Sequence, residues 1–172
     1  MKIKFFRTSL IFLFIIIFFI FYKGLKNTNI YTPNLNSEKN IPYIEIEIFD
    51  TNTKINSKEI FKSNKFYLLN IWASWCTPCR DEHAFLMKLS LQKKIEIIGL
   101  NYKDNNENAK NFLRELENPY KLILSDHDGT KAIEWGAYGV PESFVIHNKK
   151  IIKKVIGPID KDILLEIEKI VE

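Results

Sequence analysis

The stretch from residue 66 to residue 92 limits most tightly how this chain can fold. It opens with FYLLNIWA (66–73), passes through SWCTPC (74–79) and continues into RDEHAFLMKLSLQ (80–92). The first segment is an apolar run of strand length, as expected of a central strand buried on both faces. The residues from Thr77 onward read as a helix, with Pro78 accommodated in its first turn. A buried strand that turns directly into a helix is the seed of an α/β sheet. The two cysteines of the chain, Cys76 and Cys79, sit in that turn.

The rest of the pattern continues the alternation. YIEIEIF (43–49) puts Ile44, Ile46 and Ile48 on one face of a half-exposed strand. SKEIFK (57–62) predicts a short helix, IEIIGLNY (95–102) a strand and NENAKNFLRELEN (106–118) a helix with Phe112, Leu113 and Leu116 as its apolar stripe. YKLILSD (120–126) predicts a strand and GTKAIEWG (129–136) a short helix. SFVIHNKKIIKKVIG (143–157) predicts a hairpin turning at Asn148 and Lys149, and DKDILLEIEKIV (160–171) a closing amphipathic helix. Strands alternating with helices, plus a late hairpin, imply a mixed sheet flanked by helices.

Residues 10–22, LIFLFIIIFFIFY, have no polar side chain except the Tyr22 hydroxyl. Arg7 and Lys23 bracket Thr8 to Tyr22, roughly 22 Å of helix against a hydrocarbon core of ~30 Å. Snorkelling basic side chains and the preceding Phe5 and Phe6 extend that reach. No small-x-small cleavage site follows in YKGLKNTNIYT, and the run offers no polar face for a core helix. The expectation is an uncleaved anchor over residues 1–27, a linker over 28–40 and a folded domain over 41–172. The bias of basic residues favours N-terminus inside and body outside.

Net charge has the same origin. Lys2, Lys4, Arg7, Lys23 and Lys26 all precede the first acid, Glu38; without those five, 20 of the 25 basic residues face 21 acids. A near-neutral body carries no electrostatic footprint for nucleic acid.

Cys76 falls at the helix start and Cys79 one turn on, along the same face. Unpaired backbone N–H groups and the helix dipole favour an anion there, which stabilises a Cys76 thiolate. The two-residue gap also lets the sulfurs join, so dithiol and disulfide are both accessible. A purely structural disulfide over so short a loop constrains little. Two inert core cysteines would not explain their position in the turn. A metal site would start from Cys76, Cys79 and His83, a C-x-x-C-x-x-x-H cluster, and would recruit His127 or His147 as a fourth ligand. Covalent haem attachment needs His directly after Cys79, where Arg80 stands. A peroxide reductase of related fold needs Thr at 73, where Ala stands.

WCTPC (75–79) between a buried strand and a helix resembles the thioredoxin superfamily. The longer LLNIWASWCTPCRDEH (68–83) resembles the CcmG/DsbE family, the membrane-anchored thiol:disulfide oxidoreductases of cytochrome c maturation. GAYGVPESF (136–144) is similar to that family's second motif, with Ser143 where Thr is usual. The resemblance implies a thioredoxin-like fold facing the periplasm from the inner membrane. It implies reduction of the disulfide in the CxxCH haem-binding segment of apocytochrome c, re-reduction by a transmembrane thiol carrier of the DsbD or CcdA type, and contact with the maturation complex. No cofactor is implied.

By the same resemblance Cys76 is the attacking nucleophile and Cys79 the resolving thiol. Pro141 matches a cis-proline beside the CxxC turn, where the preceding backbone binds substrate. Trp75 lies by the sulfurs, and Trp72 belongs to the core. Glu82 and Glu142 match acids able to handle protons, the alternative for each being a solvated position. Asn70 stands where thioredoxin has a buried Asp, so proton handling falls to Glu82, Glu142 or water. His83 is expected on the helix surface, His127 in a loop and His147 at a strand end. The alternatives are a general TlpA/ResA-like reductase, a dithiol oxidant, a non-catalytic apocytochrome holder, and, in another class, a metal module on Cys76, Cys79 and His83.

Overall fold

The computed structural model describes residues 2–26 and 39–172. The chain forms two compact units, residues 1–34 and 35–172. Within the first, Lys2–Lys26 is one helix, α1. Its side chains are described without a break over residues 10–23 and are exposed there. Among the described residues no helix is long and apolar enough to cross a membrane. The anchor expected over residues 1–27 overlaps α1, and residue 27 lies outside the described residues. Most of the 28–40 linker lies outside the described residues.

The second unit opens with β1 (Lys39–Asn40), β2 (Glu45–Ile48), β3 (Lys54–Asn56), α2 (Ser57–Ile60), β4 (Phe66–Trp72) and α3 (Thr77–Ser90). It continues with β5 (Ile95–Tyr102), α4 (Asn106–Leu116), β6 (Leu122–Asp126), α5 (Thr130–Glu134), β7 (Glu142–His147), β8 (Lys150–Ile156) and α6 (Lys161–Val171). The strands make one sheet in the order β1-β8-β7-β4-β5-β6-β2-β3. β4 and β6 both run parallel to β5, whereas β7 lies antiparallel to β4 and to β8. The mixed α/β fold expected from the sequence is the one observed.

Alternation along β4 divides the core. Leu68 and Trp72 face a cluster with Leu86 and Leu89 of α3, Phe112 of α4 and Ile167 of α6. Tyr67, Leu69 and Ile71 face the opposite side, with Ile60 of α2, Ala132 of α5 and Trp135. Both faces of the strand are thus covered, which is why its sequence is apolar at nearly every position. The hairpin turns at Asn148 and Lys149, whose φ values are 50° and 61°. Two positive-φ residues match the right-handed twist of the flanking strands.

The short strands β1 and β3 had no recognisable signal. β1 pairs Lys39 with Ile151 and Asn40 with Lys150, and β3 pairs with β2 at the other edge of the sheet. Both are polar edge segments whose partners alone make them strands.

Candidate active site

β4 ends at Trp72, and a short turn through Ala73, Ser74 and Trp75 delivers Cys76 to the N-terminus of α3. Cys76 is the N-cap, with φ −90° and ψ 108°, and its Sγ accepts from Cys79 N–H at 3.1 Å. A sulfur in the capping position receives the backbone donors that the first turn leaves unpaired. When the thiol is free, the same N–H groups and the helix dipole favour its thiolate. Cys76 and Cys79 are joined in a disulfide, with Cα atoms 5.3 Å apart. Both are largely buried, Cys76 being slightly the more accessible at 5% against 2%.

The turn is held from the β5–α4 loop. Asp104 accepts from Ser74 N at 2.5 Å, Ser74 Oγ at 2.7 Å, Asn101 Nδ2 at 2.9 Å and Asn105 N at 2.8 Å. Trp75 donates its indole N–H to the Lys103 carbonyl at 3.1 Å, yet its ring is 57% exposed. An aromatic ring one residue before Cys76 is therefore fixed in orientation and left open to solvent. Trp72, in contrast, is buried and stacks on Tyr120 with ring centroids 5.4 Å apart.

Glu82 does not occupy a solvated helix face. It is 1% exposed and accepts from Asn70 Nδ2 at 2.8 Å and Ile159 N at 2.8 Å. Asn70 is also fully buried; its Nδ2 reaches Ser143 Oγ at 3.0 Å, and its Oδ1 accepts from the Tyr120 hydroxyl at 2.8 Å. Burial pushes the Glu82 carboxyl up to about 7, against the opposing pull of the Ile159 and Asn70 hydrogen bonds. Near neutral pH this group exists in both protonation states, one helical turn beyond Cys79. Burial also raises Tyr120 well above its ordinary value, helped by the Glu82 charge, so it serves the network as a hydroxyl donor.

Glu142 is buried too, and ion-paired. Its Oε1 accepts from Tyr138 N at 2.7 Å and Gly139 N at 3.1 Å, while Lys154 Nζ lies 2.7 Å from Oε2. The Val140–Pro141 peptide is cis. Because Glu142 pairs with Ile71 across β7 and β4, Pro141 sits beside the end of the strand that leads to the cysteines. Val140 packs against the core cluster that contains Cys76 and Cys79.

His83 departs from the expectation of a helix-surface residue. It is buried, its Nε2 lies 2.9 Å from the Glu117 carbonyl, and its ring meets Phe112 edge-on at 5.2 Å. Burial lowers its basicity below the usual imidazole range. Among the described residues no three His, Cys, Asp or Glu side chains are grouped to hold a metal ion, so Cys76, Cys79 and His83 are not brought together as ligands. His127 is an exposed loop residue, and His147 ends β7 stacked on Phe66 at 4.1 Å. Sequence reasoning missed Asp104, Tyr120 and Lys154. Each lies in its own local pattern as an ordinary loop or strand residue, and only its distant partner reveals it.

Comparison with known proteins agrees with this geometry. The Redoxin family model matches residues 36–169. The chain is 47% identical over 95 residues to "Thiol:disulfide interchange protein CycY" of Rhizobium leguminosarum bv. viciae, covering 55% of this chain and 51% of that one. It is 41% identical over 115 residues to "Thiol:disulfide interchange protein DsbE" of Escherichia coli K12, covering 67% and 62%. The matches thus span between half and two thirds of these relatives' lengths. A thiol:disulfide interchange protein of the thioredoxin family from Chlorobium tepidum has the same fold, with TM-score 0.62 and 21% identity over 78% of this chain and 97% of that one. StoA from Bacillus subtilis does too, with TM-score 0.59 and 19% identity over 77% and 98%. The resemblance to CcmG/DsbE proteins carried by LLNIWASWCTPCRDEH and GAYGVPESF is borne out by these relatives. With a family match over most of its length and a disulfide at the N-cap of α3, this chain belongs to the Redoxin family.

Proposed function

We propose that this protein is a thiol:disulfide oxidoreductase that reduces the disulfide of CxxCH segments in apocytochrome c. The observation that carries the reading is the Cys76–Cys79 disulfide at the N-cap of α3, with the buried Glu82 carboxyl one turn further along the helix. In the reduced protein the Cys76 thiolate attacks one substrate sulfur, forming a mixed disulfide and expelling the other substrate sulfur as a thiolate. The Cys79 thiol loses its proton, Glu82 being the proposed acceptor, and its thiolate attacks Cys76 Sγ. That closes the Cys76–Cys79 disulfide and releases the second substrate thiolate. The substrate gains two electrons and the protein loses two. A transmembrane thiol carrier of the DsbD or CcdA type then returns the protein to its dithiol form.

The apolar run 10–22 between Arg7 and Lys23 supports attachment to the inner membrane, with the domain in the periplasm. Trp75 and the backbone before Pro141 are the proposed contacts for the substrate chain. The names of the CycY and DsbE relatives favour interchange over a metal-binding role.

The test is the reduction potential of the full chain in detergent, equilibrated against dithiol buffers. A value near or below roughly −270 mV supports a reductant, whereas a value near roughly −120 mV marks an oxidant and reverses the proposed direction. Reduction of an oxidised CxxCH peptide by the dithiol protein tests the substrate class directly.

A further inference from the structure

Lys154 is an unusual lysine. It lies on β8, yet its side chain is only 5% exposed, opposite a Glu142 side chain at 3%. Burying an ammonium is costly unless its protons find acceptors. Here Nζ lies 2.7 Å from Glu142 Oε2 and donates to the Gly136 carbonyl at 2.8 Å. The Tyr138 ring covers it, with the centroid 4.1 Å from Nζ, and the Phe144 ring lies at 5.4 Å. Glu142 in turn receives the Tyr138 and Gly139 N–H groups. Oε1 is thus hydrogen-bonded twice, while Oε2 is buried without a hydrogen bond and faces the Lys154 ammonium as an ion pair.

All these contacts converge on one segment, residues 136–141. Two of its N–H groups, one of its carbonyls and one of its rings are tied to the Lys154–Glu142 pair. The segment also has a free face, because the Tyr138 ring is 70% exposed. Its far end, Val140–Pro141, leads into β7, where Glu142 pairs with Ile71 next to the end of β4, and Val140 packs against both core clusters. On the thiol-exchange reading the backbone before Pro141 contacts the substrate chain, which a small disulfide lacks.

Resting on the thiol-exchange reading, we propose that Lys154 is a positioning residue. Through Glu142, Gly136 and the Tyr138 ring it holds residues 136–140 in the conformation that receives an extended peptide disulfide. Lys154 touches neither sulfur nor substrate; its effect passes through the segment that does. Glu142 accordingly serves as the anchor of that segment.

The experiment compares the full chain with Lys154→Met and Tyr138→Ala, all in the dithiol form, on two substrates. One is a disulfide-bonded CxxCH peptide and the other is the small disulfide of 2-hydroxyethanethiol. Lys154→Met is expected to lower kcat/KM for the peptide about tenfold more than for the small disulfide, mostly through KM. Tyr138 is exposed, so Tyr138→Ala keeps the fold. It is expected to lower the same ratio about threefold. If Lys154→Met does not fold, the Tyr138→Ala ratio decides. Equal losses on both substrates in the folded variants, or no loss on either, overturn the inference. Wild-type dithiol protein that reduces neither substrate overturns the exchange reading, and this inference with it.

Discussion

Asn70 Nδ2 donates to Glu82 Oε1 at 2.8 Å, joining the middle of the central strand to the helix that carries the cysteines. Asn70 lies on the α3 side of β4 and, unlike a carboxylic acid, can serve only as a fixed dipole there. The one titratable carboxyl in this buried network is Glu82, also held by Ile159 N at 2.8 Å. Titration of the network near neutral pH is therefore a property of Glu82.

That assignment predicts a pH signature in stability. The folded-state value of Glu82, about 7, lies above its unfolded value near 4.5. Between those values the folded state retains a proton that the unfolded state has lost, so this group's contribution is complete below pH ~4.5 and disappears as pH rises through 7. The size is on the order of 3 kcal/mol. Urea unfolding of the oxidised protein at pH 4.5, 6 and 8 should show the decline, and Glu82→Gln should flatten it. Identical slopes in both proteins would contradict the assignment.

Cysteine substitutions separate the two thiol roles. Cys79→Ser leaves Cys76 able to attack but removes the resolving thiol, so the protein should accumulate as a mixed disulfide with substrate on non-reducing gels. Cys76→Ser should lower turnover by roughly 100-fold or more and trap nothing. Trapping through Cys79 instead would exchange the roles.

Asp104 is predicted to be the main brace of the cysteine turn. Asp104→Ala leaves Ser74 N–H and the Asn101 amide without their acceptor. The cost should be about 1–3 kcal/mol. Asp104→Asn, which keeps one carbonyl acceptor, should lose less. Chemical denaturation of both variants checks the order, and equal stabilities would remove Asp104 from this role.

Gly99 is predicted to be intolerant of any side chain. A Cβ there would lie 2.9 Å from Trp72 Nε1 and 2.9 Å from the Tyr120 ring. Tyr120 cannot retreat freely, because its hydroxyl is bonded to Asn70. Gly99→Ala should cost about 1–3 kcal/mol by overpacking. A neutral result in urea unfolding would mean that Trp72 and Tyr120 can move apart.

Local pattern alone carried much of the fold. The apolar run FYLLNIWA forms β4, and IEIIGLNY coincides with β5, because burial on both faces leaves an unbroken hydrophobic signature. The hairpin at Asn148 and Lys149 and the position of Cys76 at the start of α3 were legible for the same reason: turn chemistry and helix starts depend on neighbours in sequence. Tertiary structure alone decided which polar residues went inside. Glu82 and His83 sit on an amphipathic helix whose sequence suits exposure equally well. Their partners are Asn70, Ile159 N and the Glu117 carbonyl, supplied by other elements. Lys154 looks like any basic strand residue until β7 brings Glu142 to it. The cost of burying a charge or carboxyl is offset only by groups brought close in the folded chain, and short-range sequence pattern holds no record of them.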